Sequence, residues 1–313
     1  MLITFLLGGC INAAAPVPST PTVTVPSETT EPVRPVPTPT ILPGVQRLIG
    51  IGDVHGDFDA ARAVLRLAGV LDDTDHWIGG ETVVVQVGDQ LDRGDGEQAI
   101  LELFEQLAQE AFAAGGGFYP LIGNHESMNV QLDLRYVTEG GFKDFAEFDD
   151  GSAWLEKYDE AERGRVAAFA PGGPMANILA QHNVVQVVGD TLFVHGGIVP
   201  SVASYGLEKL NLETQQWMLG KGKEPAVLSG DDSPVWSRHY SDEPDDKDCA
   251  LLDETLNALS LSRMVVAHTV QDGGINSACD DKVWRVDVGM SAHYGGEPAA
   301  LEITADGVVV LTK

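Results

Sequence analysis

The chain has 313 residues, 43% of them hydrophobic, which is enough for one large domain or two small ones with a real core and excludes global disorder. Its 19 Lys and Arg against 47 Asp and Glu give a net charge of −28, which would repel a nucleic-acid backbone and an anionic membrane surface. The three cysteines, Cys10, Cys249 and Cys279, make no CxxC pair, which excludes a zinc ribbon or a thioredoxin motif.

Leu2 to Leu7 is a short apolar run that leads into Gly8-Gly9-Cys10. It is far shorter than the roughly 20 apolar residues that span a bilayer. It reads as part of a secretory segment, and Leu7-Gly8-Gly9-Cys10 resembles a bacterial lipobox, where cleavage precedes a cysteine that is then acylated. No Lys or Arg precedes the run, a departure from that pattern. Residues 1–10 are thus expected to be a lipoprotein-type signal segment. Cys10 would be its lipidation site, and the protein would sit outside the cytoplasm in a bacterial envelope. Residues 11–44 are dominated by Pro, Thr, Val and Ser and are expected to form a disordered, polyproline-leaning tether. Outside the cytosol Cys249 and Cys279 are free to pair, although sequence alone does not show that the geometry permits it.

From Val45 to the end short apolar runs alternate with amphipathic stretches. Leu48–Ile51 reads as a buried strand, Phe58–Leu67 as a helix, Val83–Val87 as a strand, Gln98–Ala114 as a helix and Phe118–Ile122 as a strand. Residues 129–181 are rich in charge, Phe and Gly and poor in strand signals, and are expected to be a helical insertion on the surface that caps a site. Further strands are expected at Val184–Val188, Thr191–Val194, Met264–Ala267, Val283–Val288, Ala299–Ile303 and Val308–Leu311. The opening pattern predicts βαβ units, and the dense strands near the end predict a second, more antiparallel sheet. The fold class is α/β: a two-sheet sandwich flanked by helices.

Several strands end in polar residues. The first runs into Gly52-Asp53-Val54-His55-Gly56-Asp57, the second into Gly88-Asp89-Gln90-Leu91-Asp92-Arg93-Gly94, and the third into Gly123-Asn124-His125-Glu126. Two later strands run into His195-Gly196-Gly197 and His268. In α/β folds ligands bind at the carboxyl ends of strands, so Asp53, His55, Asp89, Asn124, His195 and His268 are placed on one rim. Carboxylate, imidazole and amide ligands without thiolate suit Mn, Fe, Zn or Ni. Six exceed the three protein ligands of a usual catalytic zinc and suit two ions sharing a carboxylate. Such a pair, about 3.5–4 Å apart, binds phosphate and activates water for in-line displacement. Taken singly, Asp53 would serve as a helix N-cap and Asp92-Arg93 as a surface ion pair; it is the ordered set that points to chemistry.

The GDVHG, GDQLDRG and GNHE segments, in that order and each after a strand, resemble the phosphoprotein phosphatase branch of the calcineurin-like metallophosphoesterases. Trp236-Ser237-Arg238, Val266 to Gln271 and Val286-Asp287-Val288-Gly289-Met290 are most similar to the bacterial Shewanella-like protein phosphatases, and the likeness covers most of Val45 to Lys313. The resemblance implies that Asp53 and His55 bind the first metal, that Asp89 bridges, and that Asn124, His195 and His268 bind the second. It implies His125 as proton donor oriented by Asp92, and Arg93 as a phosphate clamp. Arg238 would be a second phosphate arginine, and Tyr294 a wall of the pocket. Two divalent ions are implied, Mn2+ first, with Fe or Zn as alternatives. A metal-bridging hydroxide would attack phosphorus directly, without a phosphoenzyme.

Ser127-Met128-Asn129 and the insertion depart from the Ser/Thr phosphatases, so regulatory surfaces of that group are not carried over. The sequence is read as offering no cysteine nucleophile in a CxxxxxR loop, which argues against the cysteine-based tyrosine phosphatases, and no GxxxxGK[ST] loop, which argues against a P-loop NTPase. The leading function is a dimetal phosphomonoesterase acting on phosphotyrosine or phosphoserine/threonine in proteins. The alternative is an extracytoplasmic hydrolase of small phosphate esters or dinucleoside polyphosphates. A phosphate- or metal-binding protein without catalysis would lack a ligand or the proton donor, and none is lacking. No nucleic-acid partner is expected, membrane contact would come only through the lipid anchor, and the oligomeric state is left open.

Overall fold

The computed structural model describes residues 1–2 and 37–313. Residues 3–10 of the expected signal segment, Cys10 among them, and residues 11–36 of the expected tether lie outside the described residues.

The first half of the fold grows from the βαβ pattern. Strand β2 (Arg47–Ile51) leads into α1 (Phe58–Leu67), whose start is set by Asp57: its Oδ1 accepts from Ala60 N at 2.9 Å. Ala60, Ala61, Val64 and Leu65 are the buried stripe of α1. Strand β3 (Val83–Gln86), α2 (Glu97–Ala113) and β4 (Gly117–Pro120) repeat the unit. Strands β2, β3 and β4 pair in parallel, with Leu48 opposite Val83 and Val83 opposite Gly117.

The second sheet is built from β1 (Ile41–Leu42) at one edge, then β5 (Val185–Val188), β6 (Thr191–Val194), β7 (Arg263–Val266), β9 (Val283–Arg285) and β8 (Asn276–Ala278). It corrects the expectation of a more antiparallel sheet. Strands β6, β7 and β9 pair in parallel, and only the β5–β6 and β8–β9 pairs are antiparallel. The final hairpin, β10 (Ala300–Thr304) and β11 (Gly307–Leu311), does not join it. It folds back onto the first sheet through β2, giving the order β11-β10-β2-β3-β4. The two sheets face each other: a Cβ placed on Gly50 of β2 would lie 3.2 Å from the Phe193 ring and 3.6 Å from Val265, both on the second sheet. Val85, Phe193, Val265 and Leu301 are buried between the sheets, whereas Ile49 and Ile51, which alternate with Gly50 along β2, are buried on its other face. The outer face of the second sheet is covered by α6 (Pro174–Leu179), α7 (Pro200–Tyr205), α8 (Leu207–Met218) and α9 (Asp246–Leu259).

Residues 129–181 contain the end of α3 (Asn124–Gln131), α4 (Glu139–Asp144), α5 (Arg163–Phe169), α6 and two 3-10 turns. The segment is not confined to the surface, since Phe145, Arg165 and Phe169 are wholly buried. The fold also begins earlier than the tether boundary at residue 44. Ile41–Leu42 form β1, which pairs in parallel with β5, and Thr38 and Thr40 are buried. The Pro-rich stretch reads as unstructured because proline cannot donate, but its carbonyls still accept. Gln186 Nε2 donates to Pro39 O at 3.0 Å and to Thr40 O at 2.9 Å. Among the described residues no helix is long and apolar enough to cross a membrane.

Cys249 of α9 is bonded to Cys279, beyond β8, with a Cα–Cα distance of 5.2 Å and a separation of 30 residues. Lys282 Nζ and Asp253 Oδ1, at 2.7 Å, tie the same helix to the same hairpin. Closing a loop of this length stabilises by roughly 3–4 kcal/mol through the entropy of the unfolded chain. The Cys249→Ser/Cys279→Ser double variant is expected to unfold at lower urea with its free energy reduced by about that amount. An unchanged urea midpoint would contradict it.

Candidate dimetal active site

The ends of β2, β3 and β4 from one sheet and of β6 and β7 from the other converge on one point. Five side-chain-bearing residues there, His55, Asp89, Asp92, Arg93 and His268, hold positive φ between 43° and 68°. Each costs about 1–3 kcal/mol, and such conformations persist where surrounding structure over-determines them. Here the determinant is the loops' own hydrogen bonding. Val54 N and His55 N both donate to Asp89 O at 3.1 and 3.0 Å. Glu126 Oε2 accepts from Asp89 N at 2.9 Å and Gly123 N at 2.7 Å, and Oε1 accepts from Gln90 N at 2.8 Å and Leu91 N at 3.1 Å. Gly123 is required by close approach: a Cβ on it would lie 2.2 Å from Asp89 Oδ1.

Asp89 stands at the centre. Its Oδ2 is 3.2 Å from His195 Nε2, 3.7 Å from His55 Nε2 and 3.8 Å from His125 Nε2. Asp53 Oδ2 is 3.8 Å from His55 Nε2. His195 Nε2 is 3.0 Å from Asn124 Oδ1 and 3.2 Å from His268 Nδ1. Ligand atoms of His55, Asp89 and His125 lie within 4.8 Å of one another, as do those of Asp89, His195 and His268. The two groups share Asp89. His55 Nδ1 is 3.1 Å from Leu91 O and His195 Nδ1 2.8 Å from Val87 O. A carbonyl only accepts, so each Nδ1 carries a proton and each Nε2 faces the centre, where an Nε2 without a proton offers its lone pair to a metal.

The electrostatics ask for cations. Burial, then the carboxylates of Asp287 and Asp89, push the Asp53 carboxyl well above the usual carboxylate range. Burial opposes ionisation of Asp89 too, but the His195 and His125 imidazoles outweigh it and hold Asp89 well below that range. Burial pushes His55 down to about 3, and burial with His195 pushes His268 down to about 2, so both rings are neutral donors of a lone pair. Asp53 Oδ1 and His268 Nε2 are buried with no hydrogen-bond partner. Crowded carboxylates, neutral imidazoles and orphaned ligand atoms fit divalent metals.

Beside this cluster Arg93 has its guanidinium carbon 4.7 Å from the Tyr136 ring centroid and 5.3 Å from that of Tyr294. Arg238 Nη1 donates to Thr269 Oγ1 at 2.6 Å and His268 O at 3.2 Å. Both arginines line a cavity of 90 Å³ with Asp53, His55, Asp89, Asn124, His125, His268 and Tyr294. His195 and Asp92 are buried at this centre. His125 Nδ1 is 2.6 Å from Asp92 Oδ2. All eleven residues expected at the site are therefore together. His76 and His182 stand elsewhere, against Glu110 and Glu105 at 2.8 Å.

Three wall residues escaped the sequence reading: Tyr136, Trp236 and Asp287. Asp287 was findable, because it follows β9 as Asp53 follows β2, and the same strand-end rule applies. Trp236 sits two residues before Arg238 in a segment singled out without assigning it a role. Tyr136 carries no local signal, since it comes from the insertion. One exclusion needs correction. Cys279 and Arg285 do have CxxxxxR spacing, but the sulfur is bonded to Cys249 and Arg285 Nε donates to Asn276 Oδ1 at 2.6 Å. No thiolate nucleophile exists there.

The chain belongs to the calcineurin-like phosphoesterase family, whose sequence profile matches residues 46–272, and it is a metal-dependent phosphatase. Members of that family bind two divalent metals. The chain is 42% identical over 304 residues to Shewanella-like protein phosphatase 2 of Arabidopsis thaliana, covering 86% of this chain and 78% of that one. Among solved structures it superposes on a point mutant of a cold-active protein tyrosine phosphatase with a TM-score of 0.72 at 26% identity, over 87% of this chain and 80% of that one. It is also similar to the cold-active protein-tyrosine phosphatase of a psychrophilic Shewanella species, with a TM-score of 0.68, 25% identity and the same coverage.

Glu126→Gln would turn an amide NH2 toward two of the four backbone donors. It is expected to lower the unfolding free energy by about 1–3 kcal/mol and to reduce bound metal per chain. Urea denaturation and elemental analysis of dialysed protein check this; full metal content at unchanged stability would contradict it.

Proposed function

We propose that the protein hydrolyses phosphomonoesters on proteins, phosphotyrosine or phosphoserine/threonine, by direct displacement at phosphorus without a covalent phosphoenzyme. The observation that carries this reading is the pairing of the ligand cluster with two arginines in one small cavity. That cavity shares Tyr136, Trp236 and Arg238 with a groove of 870 Å³. A groove of this size, walled also by Met128, Gln131 and Asp242, has room for a polypeptide on either side of a phosphorylated residue.

Asp53, His55 and Asp89 would hold one divalent ion, and Asp89, Asn124, His195 and His268 the other, with Mn2+ as the first candidate and Fe or Zn as alternatives. When bound, the ions supply Lewis acidity and lower the pKa of water. The protein's own groups do the rest. The planar guanidinium of Arg93, stacked on Tyr136, would pair with two phosphoryl oxygens, and Arg238 with a third. His125 would protonate the leaving oxygen from Nε2 while Asp92 holds Nδ1. Burial works against a charged His125, but the carboxylates of Asp89 and Asp92 outweigh it and raise its pKa, as a proton donor needs. Tyr294, 5.5 Å from His55 between ring centroids, would close the wall beside the phosphate.

The lipobox-like Leu7-Gly8-Gly9-Cys10 supports an acylated Cys10 and an extracytoplasmic address. That address favours a second reading, scavenging of small phosphate esters or dinucleoside polyphosphates, since phosphoproteins are scarce outside cells.

With Mn2+ added, phosphate release from phosphopeptides is expected to exceed release from nucleotides, and a chelator should abolish both. Faster turnover of nucleotides would transfer the proposal to the second reading. Asp89→Asn is expected to lose about 100-fold or more in kcat, the scale of removing a preorganised electrostatic group; full activity would sink the dimetal account. Cys10→Ser, expressed in a bacterium, should move the protein from the membrane to the soluble fraction, and retention in the membrane would rule out that anchor.

A further inference from the structure

The helical insertion sends one charged side chain inward, to the far side of the proton-donor pair. Arg165 of α5 is wholly buried, and all five of its N–H groups have acceptors. Nη2 donates to Asp92 Oδ1 at 3.0 Å and to Glu97 Oε1 at 2.8 Å. Nη1 donates to Glu97 Oε2 and to Gly141 O, the latter at 3.0 Å, and Nε donates to Asn129 Oδ1 at 2.8 Å. Asn129 Nδ2 completes the set by donating to Asp92 Oδ1 at 3.0 Å and to His125 O at 2.9 Å. The guanidinium is held between the Phe145 and Phe169 rings, 5.1 and 5.0 Å from their centroids.

Asp92 therefore divides its two oxygens: Oδ2 for His125 Nδ1, Oδ1 for Arg165 and Asn129. A carboxylate held by only one oxygen can rotate about its terminal bond. The second attachment fixes its plane, and with it the direction in which the His125 ring points. A buried ion pair is weak evidence for stability, because desolvation offsets the Coulomb gain and apolar side chains would fill the same space as well. Phe145 and Phe169 show that this site accepts apolar neighbours.

We propose that Arg165 is a positioning residue for the proton-transfer step, acting through Asp92. This rests on the reading of His125 as proton donor. In that step the bond from phosphorus to the leaving oxygen breaks, and its electron pair stays on that oxygen. The oxygen takes the proton from His125 Nε2, which leaves a neutral imidazole, while a water oxygen forms the new bond to phosphorus and gives its proton to solvent. A misdirected Nε2 penalises poor leaving groups most, because good ones depart without a proton. A purely structural arginine would, when lost, lower all substrates alike.

The test is a pair of aryl phosphates, phenyl phosphate and p-nitrophenyl phosphate, whose leaving groups differ in acidity, assayed on the full chain with Mn2+. For Arg165→Met, kcat on phenyl phosphate is expected to fall about 100-fold while the p-nitrophenyl ester loses less than about 10-fold, within the range general acids contribute. KM is expected to stay unchanged on both. An equal loss on the two esters, or none, overturns the proposal. His125→Asn is run beside it. If that variant discriminates between the esters and Arg165→Met does not, Arg165 alone is misassigned; if His125→Asn does not discriminate, the proton-donor reading itself fails. Should Arg165→Met not fold, Arg165→Lys, which keeps the charge but loses the fork, is expected to show the same unequal loss, and an equal loss overturns the proposal.

Discussion

Four backbone N–H groups from two loops converge on the Glu126 carboxylate, and that convergence sets the two turns that carry Asp89 and Asn124 into the site. Asp89 N, Gln90 N and Leu91 N belong to the turn after β3, and Gly123 N to the turn after β4. Hydrogen bonds to a charged acceptor are worth about 1.5–3 kcal/mol each. Together they offset the strain of positive φ at Asp89 and Asp92. Burial and the nearby Asp89 charge push the Glu126 carboxyl up to about 7. The amide donor of Gly123 pulls the other way but does not outweigh them. The clamp holds the buried Asp89 side chain between His55 and His195, where its Oδ1 also accepts from His125 N at 3.0 Å.

The same logic of paired burial extends outward from the centre. Asp92 accepts from His125, Asn129 and Arg165; Glu97 accepts from Arg165 and from Asp92 N. Burial raises the Glu97 carboxyl despite the arginine beside it. No carboxylate of this chain of contacts is left alone in the interior. Asp57 adds a link at the rim: its Oδ1 caps α1, while Oδ2 accepts from Ala292 N at 2.7 Å and ties the loop bearing Tyr294 to the β2–α1 turn. The helical insertion is thus part of the site, because it delivers both Tyr136 to the cavity wall and Arg165 to the back of Asp92.

Much of this arrangement is legible in the sequence itself. Period-2 and period-3.6 patterns located α1 at its observed limits and β6 likewise, and the strand-end rule collected Asp53, His55, Asp89, Asn124, His195 and His268. Local signals read local structure. Residues brought in by long-range packing left none: Tyr136, in the turn between α3 and α4, and Arg165, on α5, reach the site from far along the chain, Arg165 from 73 positions beyond Asp92. β1 was lost inside a proline-rich composition, and β8 is three polar or small residues, too short to show a period. The last hairpin was assigned to the wrong sheet because pattern predicts strands but not their partners.

The most direct test of the account is anomalous diffraction at the manganese edge from crystals grown with Mn2+. The account requires two peaks that share Asp89, one beside Asp53 and His55 and the other beside Asn124, His195 and His268. A single peak, or two peaks without Asp89 between them, would contradict it.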